Sequence, residues 1–144
     1  MRYLPQNRFI PKNLTIKQVF EYFDLKFEDL LLHFPVFEKY LNFKIGSLSG
    51  GEIRIIEVFV ILKSKTKFCL LDEPFSQVMP LHVEVLKKLI LLEKEHKGII
   101  MTDHMYQSVI DVSDDIYVLS SGSIYLTKNT HDLIKHGYIN RPIN

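Results

Sequence analysis

The chain has 144 residues, enough for one domain or part of one, and 47% of them are hydrophobic, which is enough for a core. A formal net charge of +1 does not predict the basic face of a nucleic-acid-binding protein, so we expect no nucleic-acid partner. The single cysteine, Cys69, excludes an intrachain disulfide and fits a reducing compartment. The first residues lack the apolar core of a signal peptide, and no apolar run reaches the roughly 18 residues of a membrane span. We therefore expect a soluble, cytoplasmic chain.

The first half of the chain begins with a short β-prone segment and continues into helices. Pro5 ends the segment Arg2–Leu4, and a polar loop containing Gln6 runs to residue 12. Thr15 is a candidate N-cap for the first of three short helices. We predict a small α-helical subdomain over residues 13–47, in which the many Phe and Tyr side chains pack as a core. The three predicted helices are Ile16–Phe23, Phe27–Phe34 and Val36–Leu41.

A turn of small residues, Leu48-Ser49-Gly50-Gly51-Glu52, precedes an apolar run that reads as a helix over Glu52–Leu62. Ser49 can cap this helix, and two glycines let the backbone approach a ligand without interference from a β-carbon. The first N–H groups of a helix carry partial positive charge. The turn therefore predicts a phosphate-binding helix end.

The remaining chain alternates strands and helices, and the pattern predicts an α/β fold with a mostly parallel sheet and an antiparallel end. Two apolar runs have the character of strands buried on both faces. One ends in Asp72-Glu73 and the other in Thr102-Asp103-His104. The predicted elements are strand Phe68–Leu71, helix Leu81–His96, strand Ile99–Met101, helix Met105–Val112, strands Ile116–Leu119 and Ser123–Thr127, and a last helix Thr130–His136.

Because ligands bind at the carboxyl ends of parallel strands, these polar residues are expected at one edge of the sheet. Asp72 could hold Mg²⁺, Glu73 could orient and deprotonate a water, and His104 could donate to a phosphoryl oxygen. Gln6 could bind Mg²⁺ or position the water. Each residue is weak evidence by itself, since many strands end in acids and most histidines are structural. Their order and spacing along the chain raise the value of all four.

With those motifs in place, the chain resembles the nucleotide-binding domain of ABC (ATP-binding cassette) ATPases. Leu48 to Glu52 resembles the signature motif, and Phe68 to Glu73 resembles Walker B with its catalytic glutamate. Gln6 in Tyr3-Leu4-Pro5-Gln6 resembles the Q-loop, and His104 resembles the switch histidine. Three features lean toward the lipopolysaccharide-export and branched-chain amino acid type: the Tyr-Leu-Pro-Gln segment, the Thr-Asp-His segment and the acidic Glu57 after the signature. The resemblance implies a partial P-loop NTPase fold, with the RecA-like part of the core over residues 48–144.

The resemblance also implies a mechanism and partners. Two cassettes would form a head-to-tail dimer around ATP, with Ser49, Gly50, Gly51 and Glu52 reaching a nucleotide bound on the opposite cassette. Asp72 and Gln6 would hold Mg²⁺ with the phosphates, while Glu73 and His104 would be catalytic. The helical subdomain would dock on a transmembrane permease, which would place the chain at the cytoplasmic face of the inner membrane.

The chain departs from the family pattern in two main places. No Gly-x-x-x-x-Gly-Lys-Ser/Thr motif (Walker A) occurs in the 144 residues, so we expect this polypeptide alone to be inactive as an ATPase. Met79 stands where the D-loop of the family usually has Asp. Two alternatives therefore stay open: a degenerate, non-catalytic cassette with an interaction or regulatory role, and a soluble ABC-type protein of DNA repair or translation.

Overall fold

The computed structural model describes residues 1–127 and divides into two compact units, Met1–Val109 and Ile110–Asn144. The helix predicted over Thr130–His136 lies outside the described residues. Within residues 1–127, no helix has both the length and the apolar character needed to cross a membrane. The predicted subdomain division at residues 12 and 47 stays a prediction.

The first unit contains a three-stranded parallel sheet in the order β1-β2-β3, formed by Arg2–Leu4, Phe68–Asp72 and Gly98–Thr102. Asp72 at the end of β2 lies beside Thr102 at the end of β3. The predicted parallel sheet is therefore confirmed, and the ends of β2 and β3 are level.

The second unit contains the predicted hairpin, in which β4 (Ile116–Ser120) pairs antiparallel with β5 (Ser123–Thr127). Both residues of its turn, Ser121 and Gly122, have positive φ, at 50° and 76°. Such a two-residue turn matches the twist of the flanking strands. The hairpin forms a two-stranded sheet of its own among the described residues, whereas we had expected it to continue the parallel sheet.

Five α-helices are described: α1 (Ile16–Tyr22), α2 (Phe27–Leu31), α3 (Gly50–Lys63), α4 (Pro80–Glu93) and α5 (Tyr106–Val112). Two 3₁₀ segments, Pro35–Tyr40 and Ile45–Ser47, join α2 to α3. The predicted third helix is thus a 3₁₀ helix, and α2 ends three residues early. Pro35 disfavours the α conformation at Phe34, and Phe34 has an extended φ of −133°.

Helix α3 is the centre of the first unit, because every residue from Ile53 to Leu62 is buried. Phe59 of α3 stacks on Phe20 of α1 with ring centroids 5.8 Å apart. Phe34 and Phe37 are also buried. The prediction that the aromatic side chains of residues 13–47 pack as a core is confirmed for Phe20, Phe34 and Phe37.

The expectation of strands buried on both faces was wrong. Cys69 and Leu71 are buried, but Phe68 is 58% exposed and Ile100 of β3 is 65% exposed. Only one face of the sheet is covered among the described residues. The other face, formed by Tyr3, Phe68, Leu70 and Ile100, is the open sheet face.

The sequence predicts that α4 turns Val85, Leu86, Leu89, Ile90 and Leu92 inward, and the structure differs in part. Leu86, Leu89 and Ile90 are buried as predicted, whereas Val83 was not predicted and Leu92 is 58% exposed. At 100° per residue, Leu92 lies about 120° from the centre of the stripe that begins at Val83. Its exposure follows from the helical period.

Candidate functional site

The loop after β1 brings Gln6 to Glu73, the first residue after β2, a contact that was not predicted from the sequence. The Gln6 Nε2 group donates a hydrogen bond to Glu73 Oε1 at 3.0 Å. The backbone N–H of Glu73 donates to the carbonyl of Thr102 at 2.7 Å, which fixes the first residue after β2 to the end of β3. Glu73 has a φ of 50°, a left-handed conformation that is costly for a residue with a β-carbon.

The Asp72 carboxylate is oriented by two hydroxyl groups that sequence reasoning missed. Its Oδ1 accepts from Thr102 Oγ1 at 2.7 Å, and its Oδ2 accepts from Tyr3 OH at 3.2 Å. Partial desolvation and the negative charge of Asp72 raise the pKa of Tyr3, which keeps the phenol protonated as a donor. Both contacts follow from the register of the sheet, which places Tyr3 beside Leu70 and Thr102 beside Asp72 and is known only from the folded chain.

Arg54 links the two segments that carry the candidate site residues. Its guanidinium, whose side chain is 6% exposed, donates to the carbonyl of Pro5 at 2.8 Å, directly before Gln6. It also donates to the carbonyl of Glu73, at 3.0 Å from Nη2 and 3.3 Å from Nε, and to the carbonyl of Asp72. One side chain of α3 therefore holds both the Gln6 loop and the end of β2.

Glu57, one turn further along α3, is fully buried. Its Oε1 accepts from the backbone N–H groups of Phe9, at 2.9 Å, and Ile10, at 3.4 Å. Its Oε2 lies 3.4 Å from Arg54 Nη1. Sequence analysis did not place Arg54 or Glu57 in the site, although they are the two charged residues in the apolar run Ile53–Leu62. Two charges within an otherwise apolar helix were the available signal.

The predicted cap of α3 is present and is reciprocal. Ser49 Oγ accepts from the backbone N–H of Glu52 at 3.3 Å, and Glu52 Oε2 accepts from the backbone N–H of Ser49 at 2.7 Å. This is a capping box, which satisfies two backbone donors at the helix start. The structure therefore places the Glu52 side chain in the cap.

The two glycines after Ser49 are approached closely by the loop that follows β2. A β-carbon on Gly51 would lie 2.5 Å from the carbonyl oxygen of Gln77, and one on Gly50 would lie 2.3 Å from Gln77 Oε1. Gln77 has a φ of 63°, and its Oε1 accepts from Arg8 Nη2 at 3.2 Å. The close approach that we expected from a ligand is thus already made by a loop of the same chain.

His104 lies beyond the end of β3, and its side chain is 69% exposed. Its Nδ1 is 3.7 Å from Asp103 Oδ1. The Asp103 carboxylate is buried and accepts from the backbone N–H groups of Phe75, at 3.0 Å, and Met105, at 2.8 Å. Asp103 therefore ties the segments after β2 and β3 together, and His104 is presented to solvent at the same edge.

Two further features bear on metal binding and on the D-loop. Asp72 and Gln6 offer carboxylate and amide oxygens, which are ligands that Mg²⁺ accepts. No group of three His, Cys, Asp or Glu residues within residues 1–127 could hold a metal ion. Met79 is 67% exposed and precedes α4, without a side-chain cap.

Comparisons with known proteins bear on the fold and on the relatives of the chain. No family model matches the chain. The lipopolysaccharide export system ATP-binding protein LptB of Haemophilus influenzae is 33% identical over 134 residues, which cover 92% of this chain and 53% of that protein. The probable branched-chain amino acid transport ATP-binding protein LivF of Archaeoglobus fulgidus is 27% identical over 93% of this chain and 61% of its own length. The chain thus spans about half the length of the curated relatives it matches.

Solved structures show the same fold. A structure described as the ATP-binding subunit of an ABC transporter superposes with a TM-score of 0.77 at 18% identity, over 94% of this chain and 62% of that chain. An RNase-L inhibitor superposes with a TM-score of 0.67 at 22% identity, over 83% of this chain and 25% of that chain.

Fold and sequence together place the chain in the P-loop NTPase fold class. Within that class, the curated relatives of the chain are ABC ATP-binding proteins of the LptB and LivF type.

Proposed function

We propose that this chain is part of the ATP-binding subunit of an ABC transporter, which couples ATP binding and hydrolysis to transport through a membrane permease. The observation that carries the proposal is the 3.0 Å contact between Gln6 and Glu73, beside the oriented carboxylate of Asp72. The relatives support it, since LptB and LivF are named as export and transport ATP-binding proteins.

Each residue at the sheet edge has a role in this proposal. Glu73 is the general base for the attacking water, and Gln6, hydrogen-bonded to it, senses the nucleotide. Asp72 and Gln6 hold Mg²⁺ together with the phosphates, and that ion, when bound, neutralises charge on the phosphate oxygens. The exposed imidazole of His104 contacts the terminal phosphate.

The start of α3 serves a second cassette in a head-to-tail dimer. Ser49 Oγ accepts a hydrogen bond within the cap, and its own hydroxyl hydrogen is available to donate to a phosphate. The N–H groups of Gly50 and Gly51 belong to the first turn, where helices have unpaired donors. Glu52 holds this end in shape through the capping box.

The membrane partner and location follow from the same proposal. The segment 13–47 docks on the permease and places the subunit at the cytoplasmic face of the inner membrane. Exposed apolar side chains of this segment, including Tyr22 and Leu32, are available for such a contact, with exposed fractions of 77% and 80%.

A chimeric cassette tests the enzymatic part of the proposal. The segment of H. influenzae LptB that precedes its match to this chain is joined to the 144 residues, and ATP hydrolysis is measured. We expect hydrolysis by the chimera, a loss of at least about 100-fold in kcat with Glu73→Gln, and retained ATP binding. The 144-residue chain alone should not hydrolyse ATP, because it contains no Walker A motif.

The same experiment separates the alternatives. A folded chimera that binds ATP without hydrolysing it would favour a non-catalytic cassette, a reading that Met79 in the D-loop position also supports. Unchanged hydrolysis after Glu73→Gln would refute the role of this residue as the base. The likeness to the RNase-L inhibitor is one of fold alone, so salt-sensitive binding to ribosomes or DNA would be needed to favour a soluble protein of translation or repair.

A further inference from the structure

We propose that the buried pair Arg54–Glu57 is a positioning device, which fixes the Gln6 loop and the Glu73 carboxylate relative to each other from a single helix. The inference deepens the proposed function, on which the roles of Gln6 and Glu73 rest. Arg54 and Glu57 are positioning residues here, since they reach the site through backbone groups.

The pair holds the Gln6 loop at both ends. Arg54 Nη1 donates to the carbonyl of Pro5, on the N-terminal side of Gln6. Glu57 Oε1 accepts from the N–H groups of Phe9 and Ile10, on the C-terminal side. The loop is therefore fastened to α3 by one cation and one anion, with Gln6 between the two attachments.

The backbone of Glu73, with a φ of 50°, is in a strained conformation that its surroundings must stabilise. Its N–H is held by the carbonyl of Thr102, and its carbonyl is held by Arg54. The guanidinium is suited to this task, because its planar array of donors can reach carbonyls of two separate segments at once.

Both of these positions carry charged side chains. Both side chains lie within a helix that is otherwise apolar from Ile53 to Leu62. A buried ion pair generally adds little stability compared with apolar side chains of similar size. Hydrogen bonds to four or more backbone groups are something that apolar side chains cannot supply. The contacts therefore point to positioning rather than to stability as the use of the pair.

Amide hydrogen exchange on the full 144-residue chain tests the proposal without a nucleotide. In Arg54→Met/Glu57→Met, which removes both charges together, the amides of Phe9, Ile10 and Glu73 should exchange at least about tenfold faster. Amides within α1 and α4 should keep their rates. The control is Lys63→Met/Glu93→Met, which removes the ion pair, at 2.8 Å, between the last residue of α3 and the last residue of α4. The control should leave the three amides unchanged.

Conservative variants give a second, independent readout. Glu57→Gln keeps an oxygen for Phe9 and Ile10, so their slow exchange should be retained. Arg54→Lys keeps the charge but not the planar array, so exchange at Glu73 should rise about tenfold while Phe9 stays protected. This variant decides the matter should the double variant fail to fold.

Two results would overturn the inference: wild-type exchange at all three amides, or an equal acceleration throughout the chain, which would indicate general structural support. In Arg54→Lys, an equal change in the exchange rates of the Glu73 and Phe9 amides would also overturn the inference. Because no ATP is used, such a result leaves the proposed ATPase intact, and an inactive chimera leaves the exchange result standing.

Discussion

At Gly51, the carbonyl oxygen of Gln77 occupies the space that a β-carbon would need. At neighbouring Gly50, the nearest groups are instead the ends of two flexible side chains, Gln77 and Arg8. The two glycines look equivalent in the sequence, yet a backbone atom cannot move aside as a side chain can. Their tolerance to substitution should therefore differ.

We expect Gly51→Ala to lower the free energy of unfolding by about 1–3 kcal/mol, because the loop at Gln77 has to shift. Gly50→Ala is the matched control and should change it by less than about 1 kcal/mol. Urea denaturation of both variants checks the difference. Equal effects would show that the Gln77 carbonyl does not restrict Gly51.

A second residue-scale prediction concerns acid sensitivity at Glu93. Burial raises the pKa of this carboxyl, but hydrogen bonds and charges from Lys63 and Lys97 outweigh it and lower the pKa overall. A carboxyl whose pKa is lowered by folding stabilises the folded chain at pH values above the ordinary pKa of Glu. This stabilisation is lost as the pH falls through the folded-state pKa. The two salt bridges, at 2.8 Å and 3.2 Å, are the source of the contribution.

Glu93→Gln should therefore destabilise the chain at neutral pH, and its difference from wild type should narrow as the pH falls from about 5 to 3. Urea denaturation at a series of pH values measures this. Asp24→Asn is the control: the Lys65 hydrogen bond and charge lower the pKa of Asp24, but this pair is exposed to solvent and screened. A difference that is constant with pH would contradict the assignment to Glu93.

At the scale of elements, α3 combines a polar start with a body that is buried on all sides. Its position cannot come from one amphipathic face, so the ends and the two buried charges fix it. The capping box of Ser49 and Glu52 fixes the start, and the same device occurs at α1 with Thr15 and Gln18. Both helices thus begin with a capping box: α1, which contributes to the aromatic core, and α3, which starts at the candidate site.

Removing the cap of α3 should have a measurable but limited cost. We expect Ser49→Ala to lower the free energy of unfolding by about 1 kcal/mol, within the 0.5–2 kcal/mol of known caps. Ser47→Ala, two residues earlier in an exposed turn, should cost less than about 0.5 kcal/mol. Guanidinium denaturation of the two variants makes the comparison, and equal losses would show that the cap contributes no more than an ordinary surface serine.

At the scale of the whole molecule, the open sheet face bears on the self-association of the chain in solution. Tyr3, Phe68 and Ile100 are 52%, 58% and 65% exposed on neighbouring strands. Within residues 1–127, β1 and β3 each pair on one side, so each has an unpaired edge. Exposed apolar surface beside unpaired strand edges favours association.

We therefore expect the 144-residue polypeptide to self-associate, as measured by size-exclusion chromatography with light scattering. Ile100→Lys should weaken the association roughly tenfold or more, because it places a charge in the open sheet face. Leu32→Lys is the control, since Leu32 is 80% exposed on the helical segment and not on the sheet. A monodisperse monomer of the wild-type chain would refute the prediction.

The sequence by itself determined the family resemblance, the order of the elements and the sheet edge at which Asp72-Glu73 and Asp103-His104 lie. These follow from local signals: motif spacing, the apolar runs of β2 and β3, and the serine that caps α3. Local signals suffice because strand ends and helix caps depend on residues close in the chain.

Only the tertiary structure decided how the site residues are supported. Arg54 and Glu57 acquire their partners from segments 18 or more residues away, and no local pattern names those partners. The same holds for Tyr3 on Asp72, for Gln77 against Gly51, and for the open sheet face. An apolar run states that a strand can be buried, but which of its faces is covered depends on what packs there, and that is a property of the folded chain.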